Sequence, residues 1–185
     1  MAITTINNRA INRADTAASG ESWTATSATA SDFQAVGGTN TPAFFAKLSA
    51  DDSSTYTDQG TVKIRFNTEV FDTDSAYDNS TNYRFTVPVG GAGKYQINVA
   101  AVLNKSNDVY NTTLSLYLNG SASGYESNGR DNSTNTAYNV WCILNPILDL
   151  SAGDYLECYF YYDVGSGTGT LKGNRTFFGG YKLIT

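Results

Sequence analysis

A chain of 185 residues without a single histidine must rest any chemistry on carboxylates, thiols, phenols or glycine-rich loops. The missing imidazole removes the base of a Ser-His-Asp triad, the partner of a Cys-His dyad and the nitrogen ligand of a His-based zinc site. Three pairs of acids are close enough in sequence to act together: Asp51 with Asp52, Asp72 with Asp74, and Asp154 with Glu157. Two carboxyls flanking a sugar would serve a glycosidase, and several carboxylate oxygens would hold calcium. The preferred reading of all three pairs is solvated loop and turn acids. Gly90-Gly-Ala-Gly93 and Gly165-Ser-Gly-Thr-Gly169 lack the Gly-Lys-Ser/Thr ending of a phosphate-cradling loop and read as hairpin turns. No catalytic, cofactor-binding or metal-ligating residue is therefore assigned, no cofactor is expected, and the chain is not read as an enzyme.

Cys142 and Cys158 alternate onto apolar faces of late strands. A disulfide is conceivable if those strands face each other, but two buried free thiols are favoured for a protein folded in a reducing cytosol. That compartment is expected because Met1–Arg9 lacks the apolar segment of a secretory signal. For the same reason the Asn-x-Ser/Thr matches at Asn79, Asn104, Asn111, Asn119, Asn132 and Asn174 read as chance in an Asn/Ser/Thr-rich chain. A net charge of −5 with 12 Lys plus Arg argues against nucleic acid as a partner. No apolar run approaches the roughly 18 residues of a membrane helix, so no membrane partner is expected.

The elements that would position these groups are strands. Tyr (13) and Phe (9) are plentiful, and aromatic and β-branched side chains suit a pleated surface. Val62, Ile64 and Phe66 share one face of a short run, as do Tyr83, Phe85 and Val87, then Tyr95 through Leu103 at every second position, then Leu114, Leu116 and Leu118. Val140, Cys142 and Leu144 alternate with Trp141 and Ile143, and Leu156, Cys158 and Phe160 alternate with Tyr155, Tyr159 and Tyr161, so these two strands are apolar on both faces. Turn-forming residues lie between the runs, including Asn119-Gly120 and Ala152-Gly153. The fold class is all-β: an antiparallel jelly-roll sandwich over residues 42–185, preceded by an extended arm over 1–41. The arm is too poor in apolar residues to bury a core, and Ile3, Ile6, Ile11, Trp23 and Phe33 are its expected anchors, with Arg9 and Arg13 as basic contacts. The outward stripe of Tyr117, Tyr155, Tyr159 and Tyr161 lies on strands whose other face already fills the core. It suggests a second burial surface.

Six blocks in order resemble the trimeric jelly-roll family of complement-type globular heads and tumour necrosis factors. Pro42-Ala-Phe-Phe-Ala46 is similar to the family's first strand and Ile64-Arg-Phe66 to the strand before its long loop. Tyr83-Arg-Phe-Thr-Val-Pro-Val89 with Gly93-Lys-Tyr-Gln-Ile97 resembles its Phe-Thr-x-Pro and Gly-x-Tyr block. Leu114–Gly120, Leu148–Leu156 and Thr176–Leu183 match its Asn-Gly strand, its Leu-x-Leu-x-x-Gly-Asp turn and its closing Phe-x-Gly-Tyr strand. The resemblance implies a homotrimer, with Trp141 and the four tyrosines at or near its axis. The arm has no Gly-x-y repeat, so no collagen stalk is expected there and a secreted complement-like role is disfavoured. Ile3–Arg13 also resembles the leading segments of tailed-phage virion proteins. The expected function is thus a virion structural protein folded in the host cytoplasm: a trimeric capsid decoration or cement protein whose arm contacts the major capsid protein or another virion protein. The alternative is a receptor-binding fibre tip, its loops 71–82, 104–111 and 121–137 gripping host-surface glycan or protein.

Overall fold

A computed structural model describes residues 21–25, 31–35, 40–52, 58–105, 109–131, 139–164 and 169–183. The chain divides into two compact units, Met1–Thr39 and Asn40–Thr185. In the first, β1 (Glu21–Ala25) and β2 (Ser31–Ala35) form an antiparallel hairpin in which Trp23 and Phe33 are register partners. Ile3, Ile6, Arg9, Ile11 and Arg13 lie outside the described residues.

The second unit is a sandwich of two antiparallel sheets, with no helix among the described residues. Sheet one runs β10 (Ser121–Asp131), β9 (Val109–Leu118), β13 (Tyr155–Val164), β7 (Arg84–Thr86) and β6 (Tyr77–Asp78), and β4 (Gly60–Lys63) pairs with β13 further along. Sheet two runs β11 (Asn139–Leu144), β8 (Gly93–Lys105), β15 (Phe177–Lys182), β3 (Ala43–Lys47) and β5 (Thr68–Asp72). Two short strands, β12 (Ile147–Leu150) and β14 (Gly169–Leu171), also pair with β8.

Alternation decides what each strand buries, because successive side chains point to opposite faces. Tyr95, Ile97, Val99, Ala101 and Leu103 of β8 are fully buried, as are Leu114 and Leu116 of β9 and Leu156 and Phe160 of β13. The sheets are joined by aromatic rings. Phe44 of sheet two stacks on Phe85 of sheet one at 4.4 Å and 8°, and meets Phe178 edge-on at 4.9 Å and 83°. Such contacts add about 0.5–1.5 kcal/mol each beyond area burial. Ile64 and Phe66 continue the inward face of β4 beyond its last ladder residue, with the Ile64 N–H donating to the Cys158 carbonyl at 2.9 Å. Tyr83 departs from the alternation expected of it. With φ of 50° it closes the preceding turn and is half-buried, and the strand begins at Arg84.

Two turns are pinned to each other. Asn119 and Gly120 both adopt positive φ (53° and 79°), as the tight hairpin between β9 and β10 demands. The Asn119 amide donates to Asp154 at 2.8 Å and its carbonyl accepts from the Tyr155 N–H at 2.9 Å. Asp154 also accepts from the Ser151 N–H at 2.8 Å.

Candidate functional site

Four of the loop carboxylates are committed to holding their own turns and neighbours. Asp51 accepts from Lys172 and from the Gly173 N–H, and these bonds lower its pKa. Asp72 accepts from the Asp74 and Tyr77 N–H groups, while Asp74 accepts from the Thr73 hydroxyl. Asp78 gathers the Thr81, Ser80 and Asn82 N–H groups at 2.9–3.0 Å, which hold its carboxyl well below the usual range. Cys142 in β11 and Cys158 in β13 are both buried free thiols, each with its pKa raised by burial. Among the described residues no group of three or more His, Cys, Asp or Glu is placed to hold a metal.

What remains are the two outer faces of the sandwich. On sheet one, Tyr155, Tyr159 and Tyr161 of β13 point outward, and Tyr117 of β9 joins them. The Tyr117 and Tyr159 rings lie 4.1 Å apart at 35°, and the Arg84 guanidinium sits 4.2 Å from the Tyr155 ring. Glu157 stands among them, only 5 % exposed, and Lys63 donates to it at 2.6 Å while passing 5.8 Å from the Tyr159 ring. Burial, and after it the Glu157 charge, raises the Tyr159 pKa. All four tyrosines are half-buried. This face has spent its aromatic surface on its own neighbours and buffered it with charge.

The outer face of sheet two is different in kind. Its central register row runs Phe71, Phe45, Gly179 and Asn98, flanked by Phe177 beside Ala100 and by Tyr181 beside Gln96. Phe45 packs on Phe177 at 5.3 Å and on Phe71 at 6.3 Å, yet Phe71 remains 49 % exposed and Tyr181 37 %. Between these rings lies an apolar groove of about 570 Å³. It is hollow because position 179 is glycine: a Cβ there would approach the Phe45 ring to 2.8 Å and the Phe44 carbonyl to 3.1 Å. Trp141 and Ile143 stand on the same face at the β11 edge, register partners of Val102 and Ala100 and half exposed.

The five residues expected at one contact surface are therefore divided. Tyr117, Tyr155, Tyr159 and Tyr161 lie outside sheet one, and Trp141 lies outside sheet two, with the core between them. Sequence reasoning did not find Phe45, Phe71, Phe177 and Tyr181. A signal existed in the doubled aromatics Phe44-Phe45 and Phe177-Phe178, each of which must send one ring inward and one outward.

Solved structures of similar architecture are murine APRIL (TM-score 0.51, 12 % identity, covering 76 % of this chain and 98 % of that one) and Eiger TNF from S. frugiperda (0.50, 15 %, 77 % and 90 %). The domain has the TNF-like jelly-roll fold. The globular domain of zebrafish complement 1qA also aligns, with a TM-score of 0.48 at 19 % identity over 77 % of this chain and 97 % of that one. No family model matches the chain, and no curated protein matches it. In this jelly roll the open aromatic ground belongs to sheet two, and sheet one presents the tyrosine and ion-pair skin.

Proposed function

We propose that the chain is a non-catalytic assembly protein: a homotrimer built through the outer face of sheet two, serving in a virion as a capsid decoration protein. The observation that carries this reading is the groove face, where Phe71, Tyr181, Trp141 and Ile143 are each 37–50 % exposed on one surface. Contiguous aromatic ground of this kind is costly in water and typical of surfaces that meet other proteins. The TNF-like fold supports three-fold packing as the form of that assembly. The virion setting is supported by the resemblance of Ile3–Arg13 to the leading segments of tailed-phage proteins. Three arms on one trimer would combine weak contacts to the major capsid protein through effective concentration, with Ile3, Ile6, Ile11, Trp23 and Phe33 as anchors and Arg9 and Arg13 as charges.

Light scattering at micromolar concentration tests the trimer; a monomeric mass refutes it. Deleting residues 1–38 should leave a folded trimer that no longer binds capsids, and undiminished binding refutes the decoration role. A second reading, a receptor-binding tip, is favoured by the exposure of Tyr110 (53 %) and Tyr125 (42 %), which fall in the segments 104–111 and 121–137 expected to be loops but lie on strands β9 and β10, because those segments pair with each other across the β9–β10 hairpin. Adsorption of the isolated protein to host cells would select it over capsid decoration.

A further inference from the structure

The outer face of sheet two has a projection and a hollow at different places. Trp141 and Ile143 (49 % and 50 % exposed) rise at the β11 edge beside the small Val102 and Ala100. The groove of Phe45, Phe71, Phe177 and Tyr181 is centred over β15 and β3 and reaches across to Asn98 of β8 and to Asn145 just after β11, and neither Trp141 nor Ile143 lines it. Three-fold rotation places one patch of a protomer against a different patch of the next, so a trimer needs two unlike, matching surfaces on each copy. Projection and hollow are such a pair.

Two further properties make them match. Neither Trp141, Ile143 nor any residue lining the groove is charged, so copies carrying a net charge of −5 meet there without confronting like charges. The polar groups are also complementary. Within the described residues the Trp141 indole N–H has no hydrogen-bond partner, and neither has the side chain of Asn98, which lines the groove half-buried next to Gly179. An indole N–H is a donor only and seeks an acceptor when buried; an Asn carbonyl is one.

Resting on the trimer reading above, we propose that Trp141 of one protomer seats in the Phe45–Phe177 groove of the next, its indole N–H donating to the Asn98 carbonyl there. The test uses the full chain carrying Trp23→Phe, which leaves Trp141 as the sole tryptophan and is first checked for wild-type mass. Mass and tryptophan emission are followed together on dilution. The expected result is a trimer whose emission shifts to the red in step with dissociation. Trp141→Ala should raise the half-assembly concentration at least about 30-fold, as for a central interface tryptophan. Asn98→Ala should raise it about tenfold when Trp141 is present and less than about twofold in a Trp141→Phe chain, which keeps a ring but no N–H. A trimer whose emission ignores dissociation, or a Trp141→Ala chain that assembles like wild type, overturns the proposal and leaves the trimer standing. A monomeric wild type overturns both.

Discussion

Lys63 and Glu157 form the interaction whose removal the structure lets one price most closely. The Glu157 side chain is 7 % exposed and that of Lys63 28 %, with Nζ and Oε1 2.6 Å apart. At an effective dielectric of 20 the gross attraction at that distance is about 6 kcal/mol, much of it offset by desolvation of both ions. Breaking a fully buried pair costs about 3–5 kcal/mol, and a surface pair is worth below about 1. Lys63→Met keeps most of the aliphatic stem, removes the charge, and also deletes a 3.3 Å bond to the Asn82 carbonyl. Because Lys63 is partly exposed, the expected loss falls between the two limits, at about 2–3 kcal/mol. For a domain of this size that lowers Tm by about 5–10 °C. The assay is urea unfolding at one fixed protein concentration, since assembly couples to stability, on wild type, Lys63→Met, Glu157→Gln and the double variant. The double variant should recover part of the loss, giving a coupling energy above about 1 kcal/mol. A Lys63→Met variant within about 0.5 kcal/mol of wild type, or a coupling of zero, would refute the argument that Glu157 depends on this cation.

Alkaline titration provides a second check. Burial, and after it the Asp74 charge, pushes the Tyr95 pKa from 10.0 up to about 12, and its hydroxyl donates to the Gly91 carbonyl at 2.5 Å. A raised folded pKa means the stabilisation is complete below pH 10 and drains away as pH rises toward 12, so wild type should lose stability across that window faster than Tyr95→Phe; parallel curves would contradict this. Asp78 shifts the other way, so its contribution is present above about pH 4 and lost as pH falls below that. Asp78→Ala should cost about 1–3 kcal/mol at neutral pH and progressively less in acid, read from unfolding curves at several pH values. Finally, the Cys142 and Cys158 thiols, both raised by burial, should react with a thiol reagent at pH 8 only as fast as the domain unfolds. Rapid stoichiometric labelling of the native protein would show that one of them is reached without unfolding.

The alternation of Tyr95 to Leu103, of Leu114 to Leu118 and of Leu156 to Phe160 is local, so the strands and their inward faces could be read from the chain alone. So could the hairpin at Asn119-Gly120, whose residues name their own backbone conformation. The location of the exposed aromatic ground could not. Trp141 and Tyr159 look alike along the chain, each outward on a strand apolar on both faces. Only the long-range pairing of β11 with β8 and of β13 with β9 sends them to opposite sides of the sandwich. The groove depends on five separate segments, around residues 45, 71, 98, 145 and 179, which no spacing rule connects. Nor does the tyrosine pattern reveal Glu157 and Lys63, which turn that face from open aromatic surface into a covered one.

Ordinarily a strand's register is guarded by its hydrophobic pattern: a slip of one residue turns the apolar set to water. In β3 and β15 that safeguard is weakened, because Phe44 and Phe45, like Phe177 and Phe178, would exchange ring for ring, although a slip of β3 would also turn Lys47 toward the place of the buried Ala46. What holds them is size. Gly179 fits beneath Phe45, and at Gly180 a Cβ would meet Ile97 at 2.7 Å and the Gln96 carbonyl at 3.0 Å, so a slipped strand would drive Phe178 or Tyr181 into space that admits only a hydrogen. Two adjacent glycines thus act as an alignment key, and the strands that form the groove are those whose misalignment is policed by collision more than by exposure to solvent.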